Sequence, residues 1–99
     1  MHVTMIGAGY VGLVSGACFA DFGHTVTCVD THQGKIDALK RGEIPIFEPG
    51  LADLVALNVK AERLFFTTSL AEGLENAEAV FIAVGTPSRR GDGHADLSY

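Results

Sequence analysis

Residues 2–12 read HVTMIGAGYVG, and the expected fold follows from this segment. Its first half, His2–Ile6, is a short run rich in β-formers and predicts a buried strand. Gly7 ends that strand. Over Tyr10–Phe22, apolar residues then recur at helical spacing until Gly23. We therefore expect a strand, a glycine-rich turn and a helix in direct succession.

Strands and helices alternate along the rest of the chain. β-Branched or apolar runs predict three more strands, and apolar residues at helical spacing predict further helices. Two prolines within five residues exclude regular structure over Ile44–Gly50. The expected strands are Thr25–Val29, Leu64–Thr67 and Ala79–Val84, and the expected helices are Gln33–Lys40, Leu51–Leu57 and Ser69–Asn76, the last with Ser69 as its N-cap.

This alternation predicts an α/β fold, in which right-handed helical crossovers join parallel strands. Ala79–Val84 is nearly all apolar, as expected for a strand that is covered on both faces. Asp96–Tyr99 resembles the first turn of another helix, so we expect the chain to be part of a larger protein. A half-built sheet has an open edge, and the isolated 99 residues should therefore be marginally stable or self-associate.

The segment from Gly7 to Gly12 matches G-x-G-x-x-G between a predicted strand and a predicted helix, which is typical of dinucleotide-binding Rossmann folds. There, the first glycine permits the turn, the second lets a pyrophosphate approach the backbone, and the third allows close helix–strand packing. The amides at the helix N-terminus hold the phosphates. The sequence thus predicts a Rossmann-type three-layer domain with a parallel sheet, truncated at residue 99. A glycine-rich turn without a ligand is the alternative.

Three other residues are candidates for the same site. Asp30 ends the second predicted strand, where a carboxylate accepts hydrogen bonds from the adenosine ribose and would repel a 2′-phosphate, so we expect NAD rather than NADP. Lys35 could reach the adenosine side, and Thr86 would line the crevice if the first and fourth strands are neighbours in the order 3-2-1-4. Their structural alternatives are turn capping for Asp30, a solvated surface position for Lys35 and ordinary turn chemistry for Thr86.

The composition argues against several classes of protein. With 47% hydrophobic and 19% charged residues, the chain is globular and has a core. The net charge of −5, with no basic cluster beyond Arg89-Arg90, argues against nucleic-acid and anionic-membrane partners. No apolar run reaches the roughly 18 residues of a transmembrane helix, and no basic residue precedes the apolar start, so we expect a cytoplasmic protein.

Neither the cysteines nor the histidines suggest a metal site. Cys18 and Cys28 are too far apart in sequence for a zinc knuckle or a redox pair, and we expect both to be small buried hydrophobic residues. The histidines are not spaced as metal ligands. We therefore assign no metal.

Several segments together resemble one family, the UDP-glucose/GDP-mannose dehydrogenases, over essentially the whole chain and in its N-terminal NAD-binding part. The stretch PIFEPGL, Pro45–Leu51, is its most specific element, because general Rossmann physics does not require it. The matching segments are the glycine loop through Leu13, Gly23-His24, Val29-Asp30, Gly42–Leu51, Ala83–Pro87 and Ala95–Tyr99.

The resemblance implies a two-step oxidation of UDP-glucose to UDP-glucuronate, with reduction of two NAD, by a full-length protein that we expect to be a homo-oligomer. The family's catalytic cysteine and its helpers lie beyond residue 99, so we assign no catalytic residue and expect this chain alone to be inactive. Alternatives are a dehydrogenase of GDP-mannose or UDP-N-acetylmannosamine, or a non-catalytic dinucleotide-binding module. The resemblance places NAD contacts at Gly7, Gly9, Tyr10, Val11, Gly12, Asp30, Lys35 and Thr86.

Glu48 stands just before the predicted helix Leu51–Leu57. We favour a structural role, in which its carboxylate caps the N-terminal amides of that helix. The alternative is a contact near the bound dinucleotide or at a subunit interface.

Overall fold

A computed structural model of the chain describes residues 1–44 and 48–84. Strands and helices alternate in it almost as the sequence predicts. In chain order the elements are β1 (His2–Ile6), α1 (Tyr10–Asp21), β2 (Thr25–Val29), α2 (Gln33–Lys40), α3 (Leu51–Lys60), β3 (Leu64–Thr67), α4 (Leu70–Leu74) and β4 (Ala79–Ile82).

The four strands form one sheet in the order β3-β2-β1-β4, which confirms the predicted parallel sheet and is the order on which the expectation for Thr86 depends. Met5 of β1 lies opposite Cys28 of β2 on one side and Phe81 of β4 on the other. The chain crosses from the outer strand β3 past β2 and β1 to reach β4. All carboxyl ends therefore lie at one edge, and the β1–β4 pair forms the switch point at which open α/β sheets bind ligands.

The hydrophobic core lies on the sheet face that α1, α2 and α3 cover. Alternate strand residues point to this face, as the period of two requires. Gly16 of α1 packs directly on it, since a Cβ there would lie 3.0 Å from the Cys28 sulfur. The buried core residues include Val3, Met5, Leu13, Ala17, Val26, Cys28, Ile36, Leu39, Leu51, Val55, Leu64 and Phe66.

The short helix α4 packs on the opposite face. The hydroxyl of Thr4 donates a hydrogen bond to the Gly73 carbonyl, and a side chain at Gly73 would overlap a methyl group of Val29. Ser69 is the N-cap, because its Oγ accepts a hydrogen bond from the Glu72 amide at 3.1 Å. The predicted cap is confirmed, although α4 is shorter than the predicted Ser69–Asn76 helix.

Helix α3 is longer than predicted and ends at Lys60 rather than Leu57. The reason is Asn58, which is fully buried. Its Nδ2 donates to the Leu54 carbonyl at 2.9 Å, and its Oδ1 accepts from Nε of Arg63 at 3.1 Å. A polar residue that usually weakens a helix interior is here held inside the helix by tertiary partners.

Strand β4 ends at Ile82, and its side chains are more exposed than the sequence predicts. Val80 is 45% exposed and Ile82 is 75% exposed. The expectation of cover on both faces is wrong for the described residues, because β4 is the outer strand there and the described helices pack mainly on β1, β2 and β3. Its contact with the helical layer is made by Phe81, which stacks on Phe19 of α1 with ring centroids 5.3 Å apart.

The two cysteines differ. Cys28 is buried in β2, and this burial raises the pKa of its thiol to about 12. Cys18 is exposed, so the expectation of burial is wrong for this residue. Helix α1 is apolar on all sides and carries a single charged residue, Asp21, and its periodicity therefore could not identify the buried side. Among the described residues, no helix is long and apolar enough to cross a membrane.

Candidate functional site

The glycine loop joins β1 to α1 at the carboxyl edge of the sheet. Gly7 has φ +104°, and a Cβ there would lie 2.9 Å from the carbonyl oxygen of Ala83, just after β4. Its amide donates to the Val29 carbonyl at 2.7 Å. Gly7 thus bends the chain where β1, β2 and β4 end together, and a side chain would be strained there.

Gly12 and Gly9 are glycines for different reasons. A Cβ on Gly12 would collide with the Gly7 carbonyl, so internal packing requires this glycine. A Cβ on Gly9 would meet no atom within 4 Å, and its φ of −78° is open to any residue. Nothing in the described protein requires a glycine at residue 9. The free space in front of its backbone therefore fits a ligand that approaches closely.

The N-terminus of α1 faces the same space. Gly9 is the N-cap without a side-chain bond, and the first turn holds no acidic residue. The first amide that bonds within the helix is that of Leu13, which donates to the Gly9 carbonyl at 2.9 Å. By helix geometry, the amides of Tyr10, Val11 and Gly12 have no intrahelical acceptor. This end of α1 suits an anionic group such as a phosphate.

The carboxylate of Asp30 is fixed at the end of β2. Its Oδ2 accepts from the Ala8 amide at 3.0 Å and from Nζ of Lys35 at 3.2 Å, and its Oδ1 accepts from the His32 amide at 3.0 Å. Desolvation is the largest single influence and raises the pKa of this carboxyl. The two amides and then the Lys35 ammonium outweigh it and hold the pKa below its usual value. Asp30 is therefore an ionised acceptor at neutral pH.

A cleft of about 310 Å³ opens beside Asp30 at the carboxyl edge of the sheet. Its lining is mostly apolar and includes Asp30, which suits a flat heterocycle attached to a ribose. Gly7 forms part of the floor, so the cleft is continuous with the glycine loop. The lining residues are Ile6, Gly7, Val29, Asp30, Thr31, Thr68, Leu70, Ile82 and Val84.

The structure brings most of the predicted site residues together. Gly7, Gly9, Tyr10, Val11 and Gly12 form the loop and first turn, and Asp30 closes the adjacent strand. Lys35 is bonded to Asp30, with its side chain one-third exposed, and so is not an isolated surface lysine. Thr86 lies outside the described residues, as do the first three residues of the PIFEPGL stretch and the segment Ala95–Tyr99.

Glu48 does not cap α3 with its side chain. The N-cap is Gly50, and the Leu51 amide donates to the backbone carbonyl of Glu48 at 3.0 Å. The Glu48 carboxylate instead accepts a hydrogen bond from the Tyr10 hydroxyl at 2.9 Å. The favoured capping role is wrong, and the side chain contacts the glycine-loop helix. The hydrogen bonds from the Ala8 and His32 amides to Asp30 also could not be predicted from the sequence.

The described residues fit NAD better than a metal ion. The open backbone at Gly9, the free amides of α1 and the carboxylate of Asp30 supply partners for the pyrophosphate and the ribose. Within residues 1–44 and 48–84, no group of three or more His, Cys, Asp or Glu side chains could hold a metal.

Comparison with known proteins agrees with this site. The UDP-glucose 6-dehydrogenase of Rhizobium meliloti is 71% identical over all 99 residues, which are 23% of its length. The enzyme of that name from Pseudomonas aeruginosa is 56% identical over 99 residues, 22% of its length. A crystal structure of GDP-mannose dehydrogenase from Pseudomonas aeruginosa superposes with a TM-score of 0.92, at 39% identity over 98% of this chain and 22% of its own.

The chain thus spans less than a quarter of the length of these relatives. The family model described as the NAD binding domain of the UDP-glucose/GDP-mannose dehydrogenase family matches residues 1–99. A match over the whole chain, on a sheet whose carboxyl edge carries the geometry described above, establishes the relationship: the chain belongs to the UDP-glucose/GDP-mannose dehydrogenase family and matches the NAD-binding domain of that family.

Proposed function

We propose that this chain is the N-terminal, NAD-binding portion of a UDP-glucose 6-dehydrogenase and that its domain continues beyond residue 99. The whole enzyme would oxidise UDP-glucose to UDP-glucuronate and reduce two NAD. The choice of substrate rests on one observation: a relative with that name is 71% identical in an alignment that covers the whole chain. The GDP-mannose dehydrogenase structure is 39% identical, which keeps GDP-mannose as the second candidate.

In this proposal the glycine loop holds the pyrophosphate. Gly9 provides the close approach, and the amides of Tyr10 and Val11 donate to the phosphate oxygens at the positive end of α1. Gly7 and Gly12 keep the turn and the helix in register through their mutual contact. The bound NAD supplies the hydride acceptor, and the protein's contribution here is to bind and orient it.

Asp30 would accept from the adenosine ribose. An ionised carboxylate has about four acceptor sites, and the amides of Ala8 and His32 and the Lys35 ammonium occupy three of them. One ribose hydroxyl can therefore bond directly, and a second requires Lys35 to swing aside towards the nucleotide. Thr86 would line the crevice from the β4 side.

The rest of the proposed enzyme lies outside this chain. The catalytic groups, the sugar-nucleotide contacts and the surfaces of the predicted homo-oligomer would belong to the remaining three-quarters of the length that the relatives have. A cytoplasmic location and the absence of nucleic-acid partners stay predictions from the sequence. The alternative to an enzyme is a non-catalytic NAD-binding module.

The first test is the intact mass of the native gene product, followed by an activity assay. We expect a product about four times the 10.4 kDa of this chain, since the chain is about a quarter of a relative's length. With UDP-glucose and NAD, that product should yield two NADH for each UDP-glucuronate formed. GDP-mannose, UDP-N-acetylmannosamine and NADP serve as matched controls.

The outcomes separate the hypotheses. A higher kcat/KM with GDP-mannose or UDP-N-acetylmannosamine would transfer the assignment to that substrate. A native product of 10.4 kDa that binds NAD without turnover would contradict the proposal of an enzyme. The hypothesis of a non-catalytic NAD-binding module would then remain.

A further inference from the structure

The hydrogen bond between Tyr10 and Glu48 joins two parts of the chain that meet at the proposed phosphate site. Tyr10 is the first residue of α1, so its amide is among those that face the pyrophosphate. Its hydroxyl donates to Oε2 of Glu48 at 2.9 Å, across 38 residues of sequence. Glu48 lies in the segment between α2 and α3.

Neither side chain belongs to the hydrophobic core. Tyr10 is 53% exposed and is neither a member of the described core nor one of the partly buried residues that pack against it. The start of α3 is held by the backbone carbonyl of Glu48, which accepts the Leu51 amide, and not by the carboxylate. The bond is therefore neither part of the core packing of α1 nor a cap of α3.

The charge of Glu48 makes its position informative. A free carboxylate close to the positive end of α1 would compete with a phosphate for the same amides. The bond to the phenol holds this carboxylate at the far end of the tyrosine ring, away from the backbone of residue 10. Glu48 raises the pKa of Tyr10, first through the hydrogen bond and then through its charge, so the hydroxyl stays a donor at neutral pH.

We infer that Glu48 is a positioning residue for the dinucleotide: by accepting the Tyr10 hydroxyl, it orders the first turn of α1 so that the amides of that turn are aligned on the pyrophosphate. This inference rests on the proposed NAD site. It adds a residue that touches neither the cofactor nor the sugar nucleotide and acts only through Tyr10.

The test is a double-mutant cycle in the intact gene product, with binding measured by titration calorimetry. Tyr10→Phe and Glu48→Ala should each weaken NAD binding roughly fivefold, and the double variant should bind no more weakly than either single variant. Glu48→Gln keeps an acceptor for the hydroxyl and should restore most of the affinity. Adenosine has the ribose hydroxyls but no phosphate, and its affinity should not change.

Glu43→Ala is the matched control. Glu43 stands in the same inter-helix segment, has an exposed side chain, and pairs with Arg41 instead of Tyr10. Its removal changes the net charge as Glu48→Ala does and should leave NAD affinity unchanged.

Other results would overturn the inference. These are a Glu48→Ala variant that binds NAD as tightly as Glu43→Ala, losses that add in the double variant, or an equal loss of adenosine affinity. Tighter NAD binding by Glu48→Ala would also overturn it, since the carboxylate would then only repel phosphate. If the unmodified protein does not bind NAD, both the proposed function and this inference fail. That result differs from the others, in which the unmodified protein binds NAD and only the variants decide.

Discussion

Gly12 rests against the carbonyl of Gly7, so close that a Cβ on residue 12 would overlap the oxygen. The start of α1 and the turn that precedes it are thus packed as one unit, five residues apart in sequence. Gly9, halfway between them, has no such contact. An experiment can therefore distinguish a glycine required by internal packing, Gly12, from one that leaves space for a ligand, Gly9.

Gly12→Ala should destabilise the protein by about 1–3 kcal/mol, because the new methyl group forces the turn and the helix apart. Gly9→Ala should cost about 1 kcal/mol of the free energy of unfolding, the typical loss when a favourable N-cap residue becomes alanine. The same Gly9→Ala change should weaken NAD binding roughly tenfold or more, because its methyl group displaces the phosphate from the amides. Urea denaturation and calorimetric titration give the two quantities. Unchanged NAD affinity in Gly9→Ala would remove the pyrophosphate from this position.

Asp30→Ala should weaken NAD binding more than NADP binding. In the proposed site the carboxylate would accept from a ribose hydroxyl of NAD and repel the 2′-phosphate of NADP, so its loss should harm the binding of NAD and relieve the repulsion of NADP. Dissociation constants for both cofactors, measured on the same preparation, check this. Equal losses would mean that Asp30 acts only by holding the loop through the amides of Ala8 and His32.

The lowered pKa of Asp30 predicts a pH dependence of stability. The folded-state pKa lies below the unfolded value of about 3.9, so the charged form favours folding. The contribution is fully present above the unfolded pKa and is lost as pH falls through the folded-state pKa. The stability difference between the unmodified protein and Asp30→Asn should therefore shrink on acidification below about pH 5. Chemical denaturation at several pH values measures it, with Glu43→Gln as the control, and a difference that is constant with pH would contradict the assignment.

The two cysteines should react at very different rates. Cys18 is exposed on α1, whereas Cys28 is buried and its thiol has a pKa of about 12. Since the thiolate is the reactive form, native protein should be alkylated at Cys18 and not at Cys28 until it unfolds. Peptide mapping by mass spectrometry after brief iodoacetamide treatment distinguishes the sites. Labelling of Cys28 at the same rate would indicate that β2 opens readily in the native state.

The isolated 99-residue chain should be marginally stable or self-associate. Val80 and Ile82 leave apolar side chains on the outer strand, and the edge of β4 that has no partner within residues 1–44 and 48–84 can pair with another chain. Sedimentation and thermal unfolding at several concentrations test this. A monomer that unfolds sharply and independently of concentration would show that the described sheet is sufficient by itself.

The order of the elements could be predicted because each carries a local signal. The β-rich runs, the helical spacing of Ile36 and Leu39, and the Ser69 cap all lie within a few residues of what they specify. The parallel order followed from alternation and handedness. The glycine loop and Asp30 were likewise recognisable, because their spacing belongs to one βαβ unit.

What the sequence could not show depends on contacts between distant residues. The extension of α3 depends on the burial of Asn58. The exposure of Cys18 depends on which side of the apolar helix α1 packs on the sheet. The exposure of Ile82 depends on what lies beside β4. The bond from Tyr10 to Glu48 joins residues with no common local pattern, so neither could be assigned a partner.

Asp30 links cofactor choice to backbone geometry. The carboxylate that would discriminate against a 2′-phosphate also holds the Ala8 amide in the glycine loop and the His32 amide at the start of α2. An engineer who replaces Asp30 by a neutral apolar residue to admit NADP would release both backbone segments in the same step. A single substitution at residue 30 would therefore not change the preference from NAD to NADP. The change requires a residue that still accepts hydrogen bonds from those two amides, together with a new positive charge at another position.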